Sequence, residues 1–129
     1  MLQGVAFIER LCFDYLDMLG APVCGPFFLT GGGAKSRYWC QLRADVLGSP
    51  VTLPENAEAA LGMAILAAAA GRKVADVAAS MVRVREVIDP RPDRAGRFRA
   101  PYLRLLDELA RRGWVASAVA QHAHRRATA

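Results

Sequence analysis

Three features of the sequence predict an α/β fold of short strands with packed helices. A glycine-rich turn, Thr30-Gly31-Gly32-Gly33-Ala34-Lys35-Ser36, lies between an apolar run and a helical pattern. Around it, strand, helix and strand follow one another within about 28 residues. Elsewhere, apolar residues recur at three- and four-residue spacing, as amphipathic helices require. The length of 129 residues suits one domain with a core of its own.

Leu2, Val5, Ala6, Ile8, Leu11, Cys12, Tyr15, Leu16 and Leu19 form one helical stripe over residues 2–19, and Gly20 stops it. The stripe is periodic from Leu2 with no capping residue ahead of it beyond Met1, so the domain is expected to start inside a larger design. Ala21 to Pro26 is a turn-rich connector. Phe27 to Thr30 is short, apolar and flanked by proline and glycine, which favours a buried strand. Ser36 is a candidate N-cap for a helix marked by Trp39, Leu42, Val46 and Leu47 and ended by Gly48. Val51-Thr52-Leu53 between prolines is a second strand, and the βαβ succession implies a parallel pair with a right-handed crossover.

Asn56 is positioned to cap the next helix, with Glu58 in its first turn. That helix, Ala59 to Ala70, is small and apolar all round, which predicts burial on more than one side. A helix over Val74 to Met81 follows. Val82 to Ala100 mixes prolines, a glycine and six arginines and reads as an exposed, extended connection; its arginines are either a solvated loop or a surface for an anionic ligand or partner. Pro101 opens a last helix, Tyr102 to Arg112, and the residues beyond Val115 fray into a polar tail.

Seventeen basic against twelve acidic residues give a net charge of +5, but all the basic residues except Lys35 and Lys73 are arginine. Together with abundant alanine this is the mark of compositional bias, and the basic residues are not interleaved with aromatics, so no nucleic-acid partner is expected. No stretch reaches the roughly 18 apolar residues in a row that a membrane span needs. Cys12, Cys24 and Cys40 are odd in number and widely spaced, which indicates neither a disulfide framework nor a zinc site and fits a cytoplasmic protein. His122 and His124 lie far from any cysteine or carboxylate cluster in sequence and read as solvated.

The glycine turn suits an anion, because glycines let the backbone approach closely and the first amides of the following helix are unpaired at its positive end. A ligand-free strand-to-helix turn is the alternative. Spacing narrows the ligand motifs. A P-loop needs glycines where Leu29 and Ala34 stand. The dinucleotide fingerprint needs a glycine where Ser36 stands, and Val51-Thr52-Leu53 offers no acidic residue for a ribose, so a Rossmann-type cofactor domain is a weak alternative.

Leu2-Gln3-Gly4-Val5-Ala6-Phe7, the glycine turn, Trp39, Gln41, Ala44-Asp45-Val46-Leu47-Gly48, Pro50-Val51 and Ala60-Leu61-Gly62-Met63-Ala64-Ile65-Leu66-Ala67 occur in this order over residues 2–112. Together they resemble the carboxy-terminal part of the FGGY-family carbohydrate kinases. The resemblance implies the actin-like fold of sugar kinases, Hsp70 and actin, ribonuclease H-like, in which two α/β domains close over ATP and a sugar; residues 1–114 would belong to the second, nucleotide-binding domain, with 115–129 the tail. It implies ATP, with Mg²⁺, as the phosphoryl donor. Gly32 and Gly33 would be the diglycine of the adenosine motif, Gly31 would permit the turn, Ala34 would lie near the ribose or base, and Arg37 would stand beside the adenine. Gln41 and Asp45 match family positions but read as structural, Asp45 tying down a neighbouring loop. The Asp-x-Gly-Thr phosphate motif, the sugar pocket and the catalytic aspartate of such kinases have no counterpart here: Asp14, Asp17 and Asp76 lack the glycine-threonine context. The expectation is a truncated kinase, inactive alone, binding ATP or ADP, reaching its sugar through a missing domain, and prone to homodimerise through uncovered apolar surface. A non-catalytic actin-like binding or assembly module is the rival.

Overall fold

The computed structural model describes residues 1–128. Helix α1 (Leu2–Met18) is followed by strand β1 (Phe27–Phe28), a single 3-10 turn (Gly32–Lys35), helix α2 (Arg37–Leu47) and strand β2 (Val51–Pro54). Then come α3 (Ala59–Ala68), α4 (Val74–Met81), β3 (Val84–Ile88), the one-turn α5 (Pro92–Ala95), a second 3-10 turn (Gly96–Phe98), α6 (Arg99–Arg111) and α7 (Ser117–Thr128). The sheet order is β1-β2-β3, with β1 parallel to β2 in the register Phe27↔Val51 and β3 antiparallel to β2 in the register Thr52↔Val87. The βαβ reading is thus met.

The caps follow the local chemistry. The Ser36 hydroxyl accepts from the Trp39 N–H at 3.3 Å, and Gly48 closes α2 at φ 65°, a left-handed conformation that glycine adopts without strain. Asn56 is not the N-cap expected of it: its Oδ1 accepts from the Glu58 N–H at 2.9 Å in the turn ahead of α3, and Glu58 occupies the cap position with no side-chain cap bond instead of standing in the first turn.

Helix α2 is the middle layer. Its Cys40 and Ala44 pack on the sheet with Leu29, Val51, Leu53 and Ile88. Its Leu42 and Val46 face the other way, into a second core built from Phe7 and Leu11 of α1, Phe98, Tyr102 and Leu106 around α6, and Ala123 of α7. A helix buried on two faces cannot slide against either layer without opening the other.

Several segments differ from the sequence reading; the expected buried strand over residues 27–30 is only Phe27–Phe28, and Phe28 is exposed. Residues 82–100 are not an extended connection: Val84–Ile88 form an edge strand, and two short turns follow. Nor do the residues after Val115 fray. Helix α7 lies along α1 and α6, its Ala120 and Ala123 buried and its Val119 packed against the same core. His122 is not simply solvated either, because its Nε2 lies 2.8 Å from Asp17 Oδ2, and His124 Nε2 lies 2.9 Å from Asp107 Oδ1. Beneath α7, Asp14 is buried; Tyr102 donates its hydroxyl to it at 2.5 Å and Arg126 donates at 2.9 Å. Burial pushes the Asp14 carboxyl above its ordinary range despite those bonds.

Helix α3 buries less than its composition predicts. Ile65 and Ala69 pack on Val77 of α4, but Met63 and Leu66 are 67% and 56% exposed. On α1, Leu2, Val5, Ile8, Leu16 and Leu19 are likewise exposed. No helix among the described residues is long and apolar enough to cross a membrane.

Candidate functional site

Strand β1 delivers the chain to the glycine turn at the C-terminal edge of the parallel pair. The Leu29 N–H donates to Thr52 O at 2.9 Å, continuing the ladder, and the Gly31 N–H donates to Ala57 O at 3.0 Å, pinning the turn to the segment that leads into α3. Gly31 has φ 80°, so this position calls for glycine. The turn then closes on itself, with the Ala34 N–H donating to Gly31 O and the Ser36 N–H to Gly33 O, each at 3.1 Å.

The N–H groups of Gly32 and Gly33 donate to no protein acceptor among the described residues. They are exposed and precede the positive end of α2. A Cβ built at Gly32 would meet nothing within 4 Å, so the space over the turn is open. At Gly33 the same atom would stand 3.2 Å from the half-buried Trp39 ring, a tight contact that the ring would have to yield to by a few tenths of an ångström. Cys40 works from the sheet-facing side of α2: it is buried, and its thiol donates to Ala34 O at 3.6 Å. Burial pushes the Cys40 thiol pKa up, which keeps it protonated and a donor. Trp39 and Cys40 therefore shape the turn although neither was singled out as a site residue. The signal was their place in the first turn of the helix that follows the glycines.

The five candidate residues fall in two groups. Gly31, Gly32 and Gly33 present backbone to solvent, with two open amides. Ala34 is buried against the sheet core, so its methyl group faces away from the open side and only its backbone borders the turn. Arg37 is held toward β3, its Nη2 3.1 Å from Glu86 Oε1 in an exposed pair. Gln41 and Asp45 are structural as expected. Asp45 accepts from the Arg91 N–H at 2.8 Å and from its Nε and Nη2 at 3.0 and 2.5 Å, and Gln41 Nε2 bridges Asp45 to Asp89 O. Burial works to raise the Asp45 carboxyl, but the Arg91 and Gln41 hydrogen bonds outweigh it and hold it below its ordinary value.

Beside the turn, an apolar cavity of about 480 Å³ opens between the sheet and the α3–α4 pair, with Thr30, Phe28, Leu61 and Ile65 in its walls. Thr30 is the residue that it shares with the glycine turn. No three His, Cys, Asp or Glu side chains cluster closely enough to hold a metal ion among the described residues.

The parallel βαβ unit with its helix-capped glycine turn has the fold of solved sugar kinases, the actin-like fold. The xylulose kinase from Rhodospirillum rubrum superimposes with a TM-score of 0.68 at 36% identity, over 84% of this chain and 23% of that one. The ligand-bound xylulose kinase from Lactobacillus acidophilus, 21% identical with a TM-score of 0.59, shares the fold. Residues 1–71 match the sequence model for the C-terminal domain of the FGGY family of carbohydrate kinases. The chain belongs to that family. Its relatives include the human FGGY carbohydrate kinase domain-containing protein, 33% identical over 94 residues, and the ribulokinase of Mycolicibacterium smegmatis, 32% identical over 107 residues. Those alignments take in 70% and 79% of this chain but only 17% and 19% of the relatives, so it spans about a fifth of their length.

Proposed function

We propose that this chain forms one wall of the nucleotide cleft of an ATP-dependent carbohydrate kinase, with Gly32 and Gly33 lying against the phosphates and adenosine of ATP or ADP. The observation that carries the reading is the pair of open amides on Gly32 and Gly33, placed ahead of the positive end of α2. The residues fit such a ligand: Gly31 supplies the turn, Gly32 leaves the approach clear, and Trp39 and Cys40 support the backbone. Ala34 contributes backbone only, and Arg37 would reach an adenine by leaving its exposed pair with Glu86, a contact of small energetic weight.

The whole protein would transfer the γ-phosphoryl group of ATP to a hydroxyl of a pentulose, polyol or similar sugar, in the cytoplasm. ATP would supply the electrophilic phosphorus and Mg²⁺, when bound, would neutralise its charge; no residue of this chain is assigned to the metal. Phosphoryl transfer depends on positioning and on charge stabilisation from several elements at once. The glycine turn offers one of those elements, so these residues alone bind nucleotide weakly and do not catalyse transfer.

Gly32→Val tests the reading, since a Cβ there meets no protein atom within 4 Å and the branched side chain would stand over the turn. Calorimetric titration with ADP should show binding to the wild-type chain and loss of at least about tenfold in affinity in the variant. Equal affinity for both, or no binding to either, contradicts it.

A further inference from the structure

The arginines of residues 83–99 are only partly absorbed by the fold. Arg91 is engaged by Asp45. Arg94 and Arg97 instead border a concavity of about 380 Å³ on the opposite side of the first turn of α2 from the sheet, floored by Leu42, Phe98 and Pro101 and rimmed by Tyr38 and Gln3. We propose that this concavity binds a small organic phosphate monoester, its phosphate between the two guanidinium groups and its carbon skeleton on Tyr38 and the apolar floor.

Charge is the first support. Among the described residues, no carboxylate lines the concavity. Arg97 makes no ion pair among the described residues, and Arg94 has a 3.5 Å contact with Asp93, which is itself exposed. Two arginines therefore line one space with little internal compensation.

Preorganisation is the second. The segment bearing both arginines is anchored at each end. Upstream, Asp45 clamps the backbone and side chain of Arg91. Downstream, Phe98 is buried with its ring 6.4 Å from that of Phe7, edge to face. Between these anchors lie only α5 and a 3-10 turn, so an incoming anion need not order a loose loop, and that saving appears as affinity.

The dimensions and chemistry choose the ligand class. A phosphate monoester brings nearly two negative charges and three acceptor oxygens at neutral pH, which match two planar donor forks better than one carboxylate does. A cavity of this volume lies in the small-molecule range and leaves an inorganic phosphate without contact on the apolar floor. Tyr38, 68% exposed, offers a ring face to a carbon skeleton. The site stands apart from the glycine turn and does not depend on the nucleotide reading.

Phenyl phosphate is a suitable probe, with inorganic phosphate and phenol as comparators, in amide-resolved NMR titrations of the full chain. Expected are saturable shifts at Gln3, Tyr38 and residues 94–98, and an affinity about tenfold above that of either comparator, falling with added salt. The double variant Arg94→Gln/Arg97→Gln, whose side chains are not in the core, should keep the amide spectrum of the fold and lose about tenfold in affinity or more. Gly32→Val should leave phenyl phosphate binding unchanged. No saturation by about 10 mM, unaltered affinity in the arginine variant, or shifts centred on Gly31–Ala34 and abolished by Gly32→Val would each overturn the proposal.

Discussion

Replacing Asp45 with alanine should destabilise the chain by about 3 kcal/mol, although the residue touches no candidate ligand. Its side chain is fully buried and accepts four hydrogen bonds: the Arg91 N–H, two from the Arg91 guanidinium, and one from Gln41. A hydrogen bond to a charged group contributes about 1.5–3 kcal/mol when its partners are desolvated. The Arg91 guanidinium is 43% exposed and can rehydrate, so its two bonds are discounted to about 1 kcal/mol together. The backbone N–H of Arg91 and the Gln41 amide supply about 2 kcal/mol more. For a chain of this size the loss lowers the melting temperature by about 10 °C. Asp45→Asn keeps the acceptor oxygen and should lose about half as much. The pH dependence has a definite sign. Because the folded carboxyl titrates below its ordinary value, the clamp contributes fully above about pH 4 and is lost as pH falls through the folded value. Urea unfolding of wild type and both variants between about pH 3 and pH 7 measures this. Asp45→Ala within about 0.5 kcal/mol of wild type at neutral pH, or a gap that widens on acidification, would refute the reasoning.

Three further outcomes follow from the packing. Tyr102→Phe removes the hydroxyl donated to buried Asp14 and should destabilise by about 1–3 kcal/mol in denaturant melts, whereas pairing it with Asp14→Asn should recover part of the loss. Ala123→Leu places a large side chain where α7 meets α1 and α6, and should lower stability by about 1–3 kcal/mol; a frayed tail would show no change. Sedimentation velocity should show concentration-dependent association of the isolated chain, driven by the open apolar faces of α1 and α3, and a single monomeric species over a wide concentration range would contradict this.

The elements that the sequence made legible are those with strong local signals. The α1 stripe, the Ser36 and Gly48 caps and the prolines around Val51–Leu53 each announce a boundary, whereas Asp45 came into view through the family resemblance, as a mid-helix carboxylate expected to tie down a neighbouring loop. Strand β3 was hidden because it is an edge strand: Arg85 and Glu86 among its valines broke the apolar pattern that marks a buried strand. Helix α7 was hidden because its buried stripe is largely alanine, which carries little periodic contrast although alanine favours helix. The uniform greasiness of α3 predicted burial on more than one side, but among its residues only Ile65 is buried, because composition alone does not say whether a partner covers each face. At the site, spacing located Gly31, Gly32 and Gly33, whereas the inward orientation of Ala34 and the support from Trp39 and Cys40 depend on how the turn seats against α2.

The Gly32 and Gly33 amides themselves report on the nucleotide reading. In an isotope-labelled titration of the chain with ADP, their resonances should shift first and furthest, saturably, together with Gly31 and Ala34, and Gly32→Val should abolish the effect. Saturable shifts confined to other parts of the molecule, with the glycine amides unmoved at full occupancy, would show that this turn is not the adenosine wall.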